Sequence, residues 1–453
     1  MASITRTLLR INNDLRPYLS EQSITEACHE VGHTWRERML GPVATVHLFV
    51  LQILCFNTAM THLRHLADAA VKAPAYCRAR MRLPLAVLQK LLRQSSMAMR
   101  LRDDEQGLWC GLKAYLVDGS STIAPDTPDS QKAFGQPKGC KKGCGFPVPK
   151  VLALFDAFSG MVVELMAFPL YTHEQSKVWM LHALLGVGDL LVGDRGFCSF
   201  AHAAMLLERR IHGLFRLHQK MIVDFRPHRR AGGKGRPKLR FIKRLGKHDQ
   251  IVEWVKPASK PKWMSDEQYE ALPRTLQMRE LRYRLPCKGQ RTLCVTIATT
   301  LLDSSRYSKE DIAKLYNVRW TAETHFAELK TTLKMRKVKS MTPEGVKKEL
   351  AVYCLVYNLV HAIMLQAAAR QGVPPDRISF IDTVRWLLCA EPGADMPDLI
   401  VNPDRPGRHE PRVTKDRQDT HPKMCRPRNI LRKRLTGQVQ VFFALLSRPA
   451  PGP

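Results

Sequence analysis

Three carboxylates in this chain stand where their type and setting could do phosphoryl-transfer chemistry. Asp118 ends the apolar run AYLV, Asp194 comes just after LLVG, and Glu323 lies in a stretch with helical periodicity. Side chains at strand ends point into the crevice where open α/β sheets bind ligands. Hydrolysis of a phosphodiester by two metal ions needs oxygen ligands held a few ångströms apart. The three residues therefore indicate a two-metal site.

Glu323 belongs to a quartet of polar residues with distinctive spacing. Two, three and six residues separate its members, which are Tyr316, Arg319, Glu323 and Lys330. At 100° per residue, this spacing predicts that all four side chains share one stripe of a helix. Phe326 and Leu329 supply a separate apolar face. We expect Glu323 to lie opposite the packed side, as a metal ligand would, beside basic groups that grip a nucleic-acid backbone.

Each of these signals has a plainer interpretation when taken alone. Asp-Gly and Asp-Arg-Gly are ordinary turn sequences, so either Asp118 or Asp194 by itself would be a turn aspartate. The quartet by itself would be a solvated helix side with incidental salt bridges, which Glu328 and Lys334 would support. Their combination in one chain favours the catalytic interpretation.

Other carboxylates compete for the metal-binding role. Asp156 stands at the head of a predicted hairpin turn and is assigned to that turn, and Asp189 is assigned to a helix-to-strand loop. Glu174 follows His173 at the start of a predicted helix. It could cap that helix or lie next to the metal ligands, and the sequence does not choose between these roles.

The charge of the chain indicates a polyanionic partner. Of its 453 residues, 71 are Lys or Arg and 41 are Asp or Glu, which gives a net charge of +30. Such an excess favours nucleic acid as the partner, although a ribosome-associated or membrane-surface protein would share it. Residues 226–247 contain ten Lys or Arg and no acidic residue. This segment is predicted to be a flexible basic loop or hairpin that touches the substrate, and its plainer interpretation is a disordered linker.

The cysteine and apolar patterns favour a reduced, cytoplasmic protein. Cys140 and Cys144 are the only close pair among twelve cysteines, and no second pair lies near them, so thiols are favoured over a zinc clip. Residues 43–60 are apolar but interrupted by polar side chains, which predicts a buried helix rather than a membrane span. The N-terminal residues contain no apolar stretch of signal-peptide length.

Hydrophobic periodicity divides the chain into three regions. Residues 1–105 read as helices. Their basic segments, among them CRARMR, whose arginines are well placed for phosphates, predict either a small DNA-binding domain or a helical bundle with a solvated basic face. Residues 106–370 read first as strands and then as helices. Residues 371–453 include a tail rich in proline and arginine over 404–434, and this region is a candidate for dimerisation or DNA contact.

The middle region predicts a mixed α/β sheet. LKAYLVDGS reads as a strand ending in a turn, residues 149–169 as a hairpin, and residues 190–192 as a short buried strand. A helix over 202–210 and a strand in IHGLFRLH follow. IVEWVKP and TLCVTIATTLL then read as strands, and the pattern becomes helical again from residue 308, with a long, largely apolar helix over 346–370. Strands that first form a hairpin and then alternate with helices indicate such a sheet.

These residues resemble a known family. Asp118 in LVDGS, Asp194 in GDLLVGDRGF, and YNVRWTAETHFAELK with the Tyr-Arg-Glu-Lys spacing are similar to the catalytic pattern of the IS4-type DDE transposases. The resemblance covers residues from about 105 to about 370. It implies an RNase H-like fold, in which a five-stranded mixed sheet is flanked by helices. It also implies a β-rich insertion, here at about 220–300, ahead of the helix that bears the glutamate.

The resemblance also implies the chemistry. Asp118, Asp194 and Glu323 would bind two Mg²⁺ or Mn²⁺ ions, and Tyr316, Arg319 and Lys330 would hold phosphates near the scissile bond. In relatives a tryptophan of the insertion stacks on a flipped base. Trp254 and Trp263 lie in the corresponding region, and a role in the core is favoured for each.

The expected function is that of a DDE transposase. It would bind its element's terminal inverted repeats in double-stranded DNA, cut there, and join the 3′ ends to target DNA. Because two ends must be held together, we expect a homodimer on DNA. Two alternatives remain: a catalytically silent DNA-binding descendant, and a structure-specific nuclease of the same fold.

Overall fold

A nine-stranded mixed sheet with helices on both faces forms the body of the molecule. The computed structural model describes residues 19–36, 38–66, 71–100, 107–141, 144–218, 221, 223–226, 239–285, 293–389 and 395–403. The strands are β1 Ala114–Ser121, β2 Lys150–Asp156, β3 Val162–Phe168, β4 Leu190–Gly193, β5 His212–Arg216, β6 Leu239–Gly246, β7 Asp249–Val255, β8 Thr275–Leu285 and β9 Leu293–Thr299.

The helices precede, interrupt and follow the sheet. They are α1 Glu21–Glu30, α2 Pro42–Leu54, α3 Leu63–Leu66, α4 Ala73–Arg82, α5 Leu85–Arg100, α6 Pro128–Phe134, α7 Gln175–Val178, α8 Phe200–Glu208, α9 Asp266–Ala271, α10 Lys309–Val318, α11 Thr321–Ala327, α12 Pro343–Gln371 and α13 Phe380–Cys389. A π-helical turn, Glu328–Thr332, continues α11. Helices in the described part of the N-terminal region, the hairpin and the strands next to both aspartates are present as predicted.

The first five strands form the RNase H-like core that the resemblance implied. Their order in the sheet is β3-β2-β1-β4-β5, in which β1, β2 and β3 are antiparallel while β4 and β5 run parallel to β1. Parallel neighbours need a crossover connection, and α8 provides it between β4 and β5. The carboxyl ends of β1 and β4 therefore meet at one edge of the core.

The turn between β2 and β3 is built by short polar side chains and one glycine. Asp156 Oδ1 accepts hydrogen bonds from the backbone N–H groups of Phe158 and Ser159, so its assignment to turn chemistry is confirmed. Gly160 has φ +69°, a conformation that favours glycine. Asn358 of α12 then pairs with both backbone groups of Val162, at 2.8 Å each, which fixes the hairpin to the long helix.

The β-rich insertion extends the sheet rather than standing apart from it. β9 pairs with β5, and β8, β7 and β6 follow outward in antiparallel order. Strands β7 and β9 had been predicted, and β6 agrees with the hairpin alternative for residues 226–247. Strand β8 had not been predicted, because its charged residues hide the alternation that marks a strand. Trp254 is 4% exposed and donates to Glu280, which confirms its role in the core. Most of the basic segment, residues 227–238, lies outside the described residues.

The long helix α12 is the central packing element. Thr342 caps it by accepting the N–H of Gly345, Pro343 occupies its first turn, and Gly372 ends it in the left-handed conformation. By length and composition it could cross a membrane, but 89% of its most apolar window is buried inside the fold, as in the core helix of a soluble protein.

The N-terminal helices share the core with α12 and β3. Many of the apolar residues of α1, α2 and α5 belong to one cluster of buried side chains with those of the sheet and of α12 and α13. Arg80 of the CRARMR sequence is buried, lies over the Phe49 ring at 3.7 Å, and donates to Ser340. It therefore belongs to the fold, which corrects the expectation that this arginine meets phosphates, whereas Arg78 and Arg82 are exposed. The predicted tail at 404–434 lies outside the described residues.

A buried ion pair in the insertion offers a test of the fold. Arg279 and Asp249 form two hydrogen bonds of 2.9 and 2.6 Å, and Arg279 also donates to the Tyr307 carbonyl before α10. Asp249→Ala should lower the free energy of unfolding by about 3–5 kcal/mol, because it leaves a buried guanidinium without its partner. Urea denaturation measures this. Asp266→Ala, which removes the exposed partner of Lys260, should change little, and equal losses in both variants would contradict the assignment.

Candidate active site

The strand register brings Asp118 and Asp194 side by side. β1 and β4 pair in parallel from Ala114 with Leu190 to Val117 with Gly193. Asp118 and Asp194 come next on their two strands. Adjacent strands lie about 4.8 Å apart, so the two carboxylates are close neighbours. Asp118 lies within β1, since its antiparallel pairing with β2 continues to Ser121, which corrects the expectation that the strand ends in a turn there.

The alternation of side chains decides which face the carboxylates occupy. Ala114 and Leu116 face the core cluster that contains α11 and α12, whereas Tyr115 and Val117 face the opposite cluster. With a period of two residues, Asp118 shares the α11 face. Ser120 shares it as well, and its hydroxyl accepts a hydrogen bond of 3.0 Å from Lys330 Nζ. Lys330 therefore lies two residues along the strand from Asp118.

Glu323 reaches the same face from the first turn of α11. Its side chain is 64% exposed, while Ala322, His325 and Phe326 are the buried residues of α11. Arg319 Nη2 lies 3.6 Å from Glu323 Oε1. The expectation that Glu323 faces away from the packed side is confirmed.

The quartet does not share one exposed stripe, which corrects the helical-wheel expectation. The helix is interrupted between α10 and α11 at Arg319 and Trp320, and the segment with Lys330 is a π-helical turn. Both features change the angle between successive residues. Tyr316 is fully buried, and Arg319 is 7% exposed, with its guanidinium 5.8 Å from the Tyr316 ring and 5.5 Å from the Trp320 ring. Tyr316 thus supports Arg319 from beneath.

The electrostatics of the site are those of crowded carboxylates. Burial raises the pKa of Asp118 to about 6, and the charges of Asp194 and Glu323 raise it as well. The Gly119 N–H and the Arg319 charge act in the opposite direction. Asp194 Oδ1 accepts the Gly196 N–H at 2.7 Å. A cluster in which neighbouring carboxylates raise the pKa of Asp118 is suited to binding cations.

Glu174 lies close to this cluster but on the other side of β1. A Cβ atom at Gly119 would stand 2.6 Å from its carboxylate, and Lys150 Nζ lies 3.5 Å from Glu174 Oε1. Glu174 takes the position before α7 but makes no capping hydrogen bond. Asp189 accepts the Gly186 N–H in a loop, as predicted.

A basic concave surface, which encloses a volume of about 280 Å³, lies beside Asp194. It is lined by Arg195, Arg216, Arg282, His218 and neighbouring apolar residues. Arg216 is near enough to the quartet for its charge to act on Tyr316. Sequence reasoning missed this surface because β5 and β8 contribute to it from distant parts of the chain. It also missed Ser120, which strand alternation from Asp118 could have indicated.

Comparison with known proteins identifies the family. Residues 109–359 match the family described as the transposase DDE domain. The chain belongs to this family. It is 25% identical over 334 residues to transposase InsG for insertion sequence element IS4 of Escherichia coli (strain K12), which covers 69% of this chain and 70% of that protein. The IS4-type resemblance is confirmed, and the chain is a DDE transposase.

Among solved structures, this transposase is similar to piggyBac transposase in a synaptic complex with hairpin DNA. The match covers 84% of this chain and 79% of that one, with 10% identity and a TM-score of 0.40.

The raised pKa of Asp118 gives a prediction about stability. Its pKa is 3.8 in an unfolded chain and about 6 here, so the folded protein loses stability as pH rises through 6. In EDTA at pH 8, Asp118→Asn should therefore raise the melting temperature, with roughly 3 kcal/mol as the upper limit. The gain should vanish near pH 4, where the wild-type carboxyl is protonated.

Thermal melts at both pH values measure this difference. Glu310→Gln, which changes an exposed carboxylate of α10, should have little effect at either pH. An Asp118→Asn variant that melts below the wild type at pH 8 would contradict the electrostatic picture.

Proposed function

We propose that this transposase binds the terminal inverted repeats of its own element in double-stranded DNA, cuts there, and joins the 3′ ends to target DNA in the cytoplasm. The meeting of Asp118, Asp194 and Glu323 on one face of the sheet, beside Lys330 and Arg319, carries the proposal. The net charge of +30 supports a DNA partner.

Two divalent cations, Mg²⁺ or Mn²⁺, suit this carboxylate cluster. Asp118 and Asp194 stand on adjacent strands and Glu323 is exposed opposite them, so oxygen ligands come from three directions. Hard cations prefer such oxygen ligands. When bound, the ions would activate a water or 3′-hydroxyl nucleophile and stabilise the leaving oxygen. The protein supplies fixed positions for the ligands, since two of them belong to paired strands.

Phosphate binding is the role proposed for Lys330, Arg319 and Tyr316. Lys330 is held against Ser120, so its ammonium group lies beside the carboxylates rather than in open solvent. Arg319 presents one edge of its guanidinium next to Glu323 and suits a bidentate contact to a phosphate. Tyr316 acts through Arg319, because its ring packs beneath that side chain. The basic surface beside Asp194 would continue the DNA path.

The regions on either side of the catalytic part are assigned by position and charge. We assign DNA binding to the helices of residues 1–105, whose Arg78 and Arg82 are exposed. The catalytic part spans about 106–370. Holding two ends together requires a homodimer on DNA, and residues 371–453 are assigned to dimerisation or DNA contact. Light scattering of the complex formed on paired DNA ends measures the number of chains.

Carboxamide variants test the catalytic assignment. Asp118→Asn, Asp194→Asn and Glu323→Gln should each abolish cleavage of a supercoiled plasmid carrying the element's ends, because an amide is a poor ligand for a hard cation. Binding to the ends in a gel-shift assay should persist, and Glu310→Gln should cut like the wild type. If all three variants still cut, the assignment is wrong.

The same assay separates the transposase from its alternatives. A structure-specific nuclease would nick branched DNA whatever its terminal sequence, and would give no plasmid integration products. A silent descendant would bind the ends and cut nothing.

Lys330 offers a second test at the phosphate-binding side. Lys330→Ala should lower the cleavage rate by roughly ten- to a hundred-fold, because a charge aimed at the scissile region is lost. Lys314→Ala removes an exposed lysine from α10 and should leave the rate nearly unchanged. Single-turnover cleavage kinetics measure both variants. Equal rates for the two would contradict a phosphate contact by Lys330.

A further inference from the structure

A second cluster of metal-ligating side chains lies behind the helix that carries Glu323. His325 belongs to α11, Glu328 begins the π-helical turn, and His361 comes from the middle of α12. Their ligand atoms all lie within 4.8 Å of one another. His325 stands two residues from Glu323, so about 200° of helical rotation turns it away from the catalytic face.

The hydrogen bonds of His361 leave one nitrogen without a partner. Its Nδ1 lies 3.1 Å from the Ser159 carbonyl oxygen, which only accepts, so Nδ1 carries the proton in this contact. In a neutral ring, Nε2 then has a lone pair. This atom is buried and has no hydrogen-bond partner in the described part of the chain, and the residue is 6% exposed. It faces Glu328 Oε2 at 3.6 Å.

The spacing of these atoms suits a single ion. His325 Nδ1 and His361 Nε2 lie 3.7 and 3.6 Å from Glu328 Oε2. Metal–ligand bonds of about 2.0–2.1 Å in a tetrahedral zinc site place neighbouring ligand atoms about 3.4 Å apart. The Tyr357 hydroxyl lies 2.8 Å from His325 Nδ1 and 3.0 Å from Glu328 Oε2, which adds an oxygen at the same centre.

We propose that His325, Glu328 and His361 bind one divalent transition-metal ion of the Zn²⁺ class, at a site separate from the catalytic carboxylates. Two imidazole nitrogens and one carboxylate favour zinc over Mg²⁺, which prefers oxygen ligands only. The Tyr357 hydroxyl or a water takes the fourth position. The contact from His361 Nδ1 to the Ser159 carbonyl is the outer interaction that orients a metal-binding histidine.

The surroundings of the cluster are built around the two imidazoles. A Cβ atom at Gly160 would stand 2.8 Å from the His325 ring and 3.0 Å from the His361 ring, so only glycine leaves room for them. Phe155 and Phe380 pack against the rings from two other sides. The Glu328 side chain is 19% exposed, which gives an ion a path from solvent.

The ion would fasten three elements that together position the catalytic glutamate. It would join α11 and the π-helical turn to α12, against the turn between β2 and β3. Glu323 and Lys330 stand on either side of His325 and Glu328 in the chain. The inference does not depend on the proposed DNA chemistry, because the ligands differ from the catalytic residues.

Metal analysis of the purified full-length protein tests the site. After incubation with ZnSO₄ and dialysis with excess Mg²⁺, elemental analysis should find one zinc per chain in the wild type and in Glu323→Gln. His361→Gln and Glu328→Gln should each retain less than about one tenth of the zinc that the wild type retains. His62→Gln, which changes an exposed histidine, should retain the wild-type amount. Circular dichroism checks that each variant is folded.

Zinc X-ray absorption of the wild type provides an outcome that needs no variant. The expected first shell has two imidazole nitrogens and low coordination number. A shell of oxygen atoms only, no zinc after dialysis, or full retention in both His361→Gln and Glu328→Gln would each overturn the proposal.

Discussion

The parallel register between β1 and β4 is the constraint on which the catalytic site depends. Because Val117 pairs with Gly193, the next residue on each strand is an aspartate, and the two carboxylates must lie together. A shift of one residue would turn either side chain to the other face of the sheet. Buried apolar residues on both faces of β1 and β4 prevent that shift. The core thus holds two like charges at a separation they would otherwise avoid.

The repulsion between these carboxylates lowers the stability of the folded protein, and the neighbouring basic residues reduce that repulsion. Arg319 lies 3.6 Å from Glu323 Oε1, and its charge lowers the pKa of Asp118; the Tyr316 and Trp320 rings flank its guanidinium. Lys330 donates to Ser120 and, among the described residues, forms no close pair with a carboxylate. The negative charge is therefore only partly compensated by the protein. Such a site keeps its affinity for cations, at the expense of a folded state that would be more stable without one carboxylate.

The sequence predicted the parts of this arrangement that local patterns encode. Apolar runs predicted β1 and β4, turn residues predicted the β2–β3 hairpin, and the quartet located α11. It failed where the backbone departs from regular geometry or where distant segments meet. The break at Arg319 and the π-helical turn give the side chains around Glu323 directions that differ from those in a regular helix. Tyr316 is therefore buried. Strand β8 and the basic surface depend on pairing within the insertion, which charged residues conceal.

The same irregular helix explains why the catalytic glutamate needs support from behind. α11 is only seven residues long and lies between a break and a π-helical turn, so its own hydrogen bonds hold it weakly. Its position must come from packing: Phe326 against Phe155, and His325 and Glu328 against Tyr357 of α12. α12 is in turn fixed to the hairpin by Asn358. The contacts that connect Glu323 to the rigid core therefore pass through the His325, Glu328 and His361 cluster. One ion bound at this cluster would restrict the position of α11 most strongly.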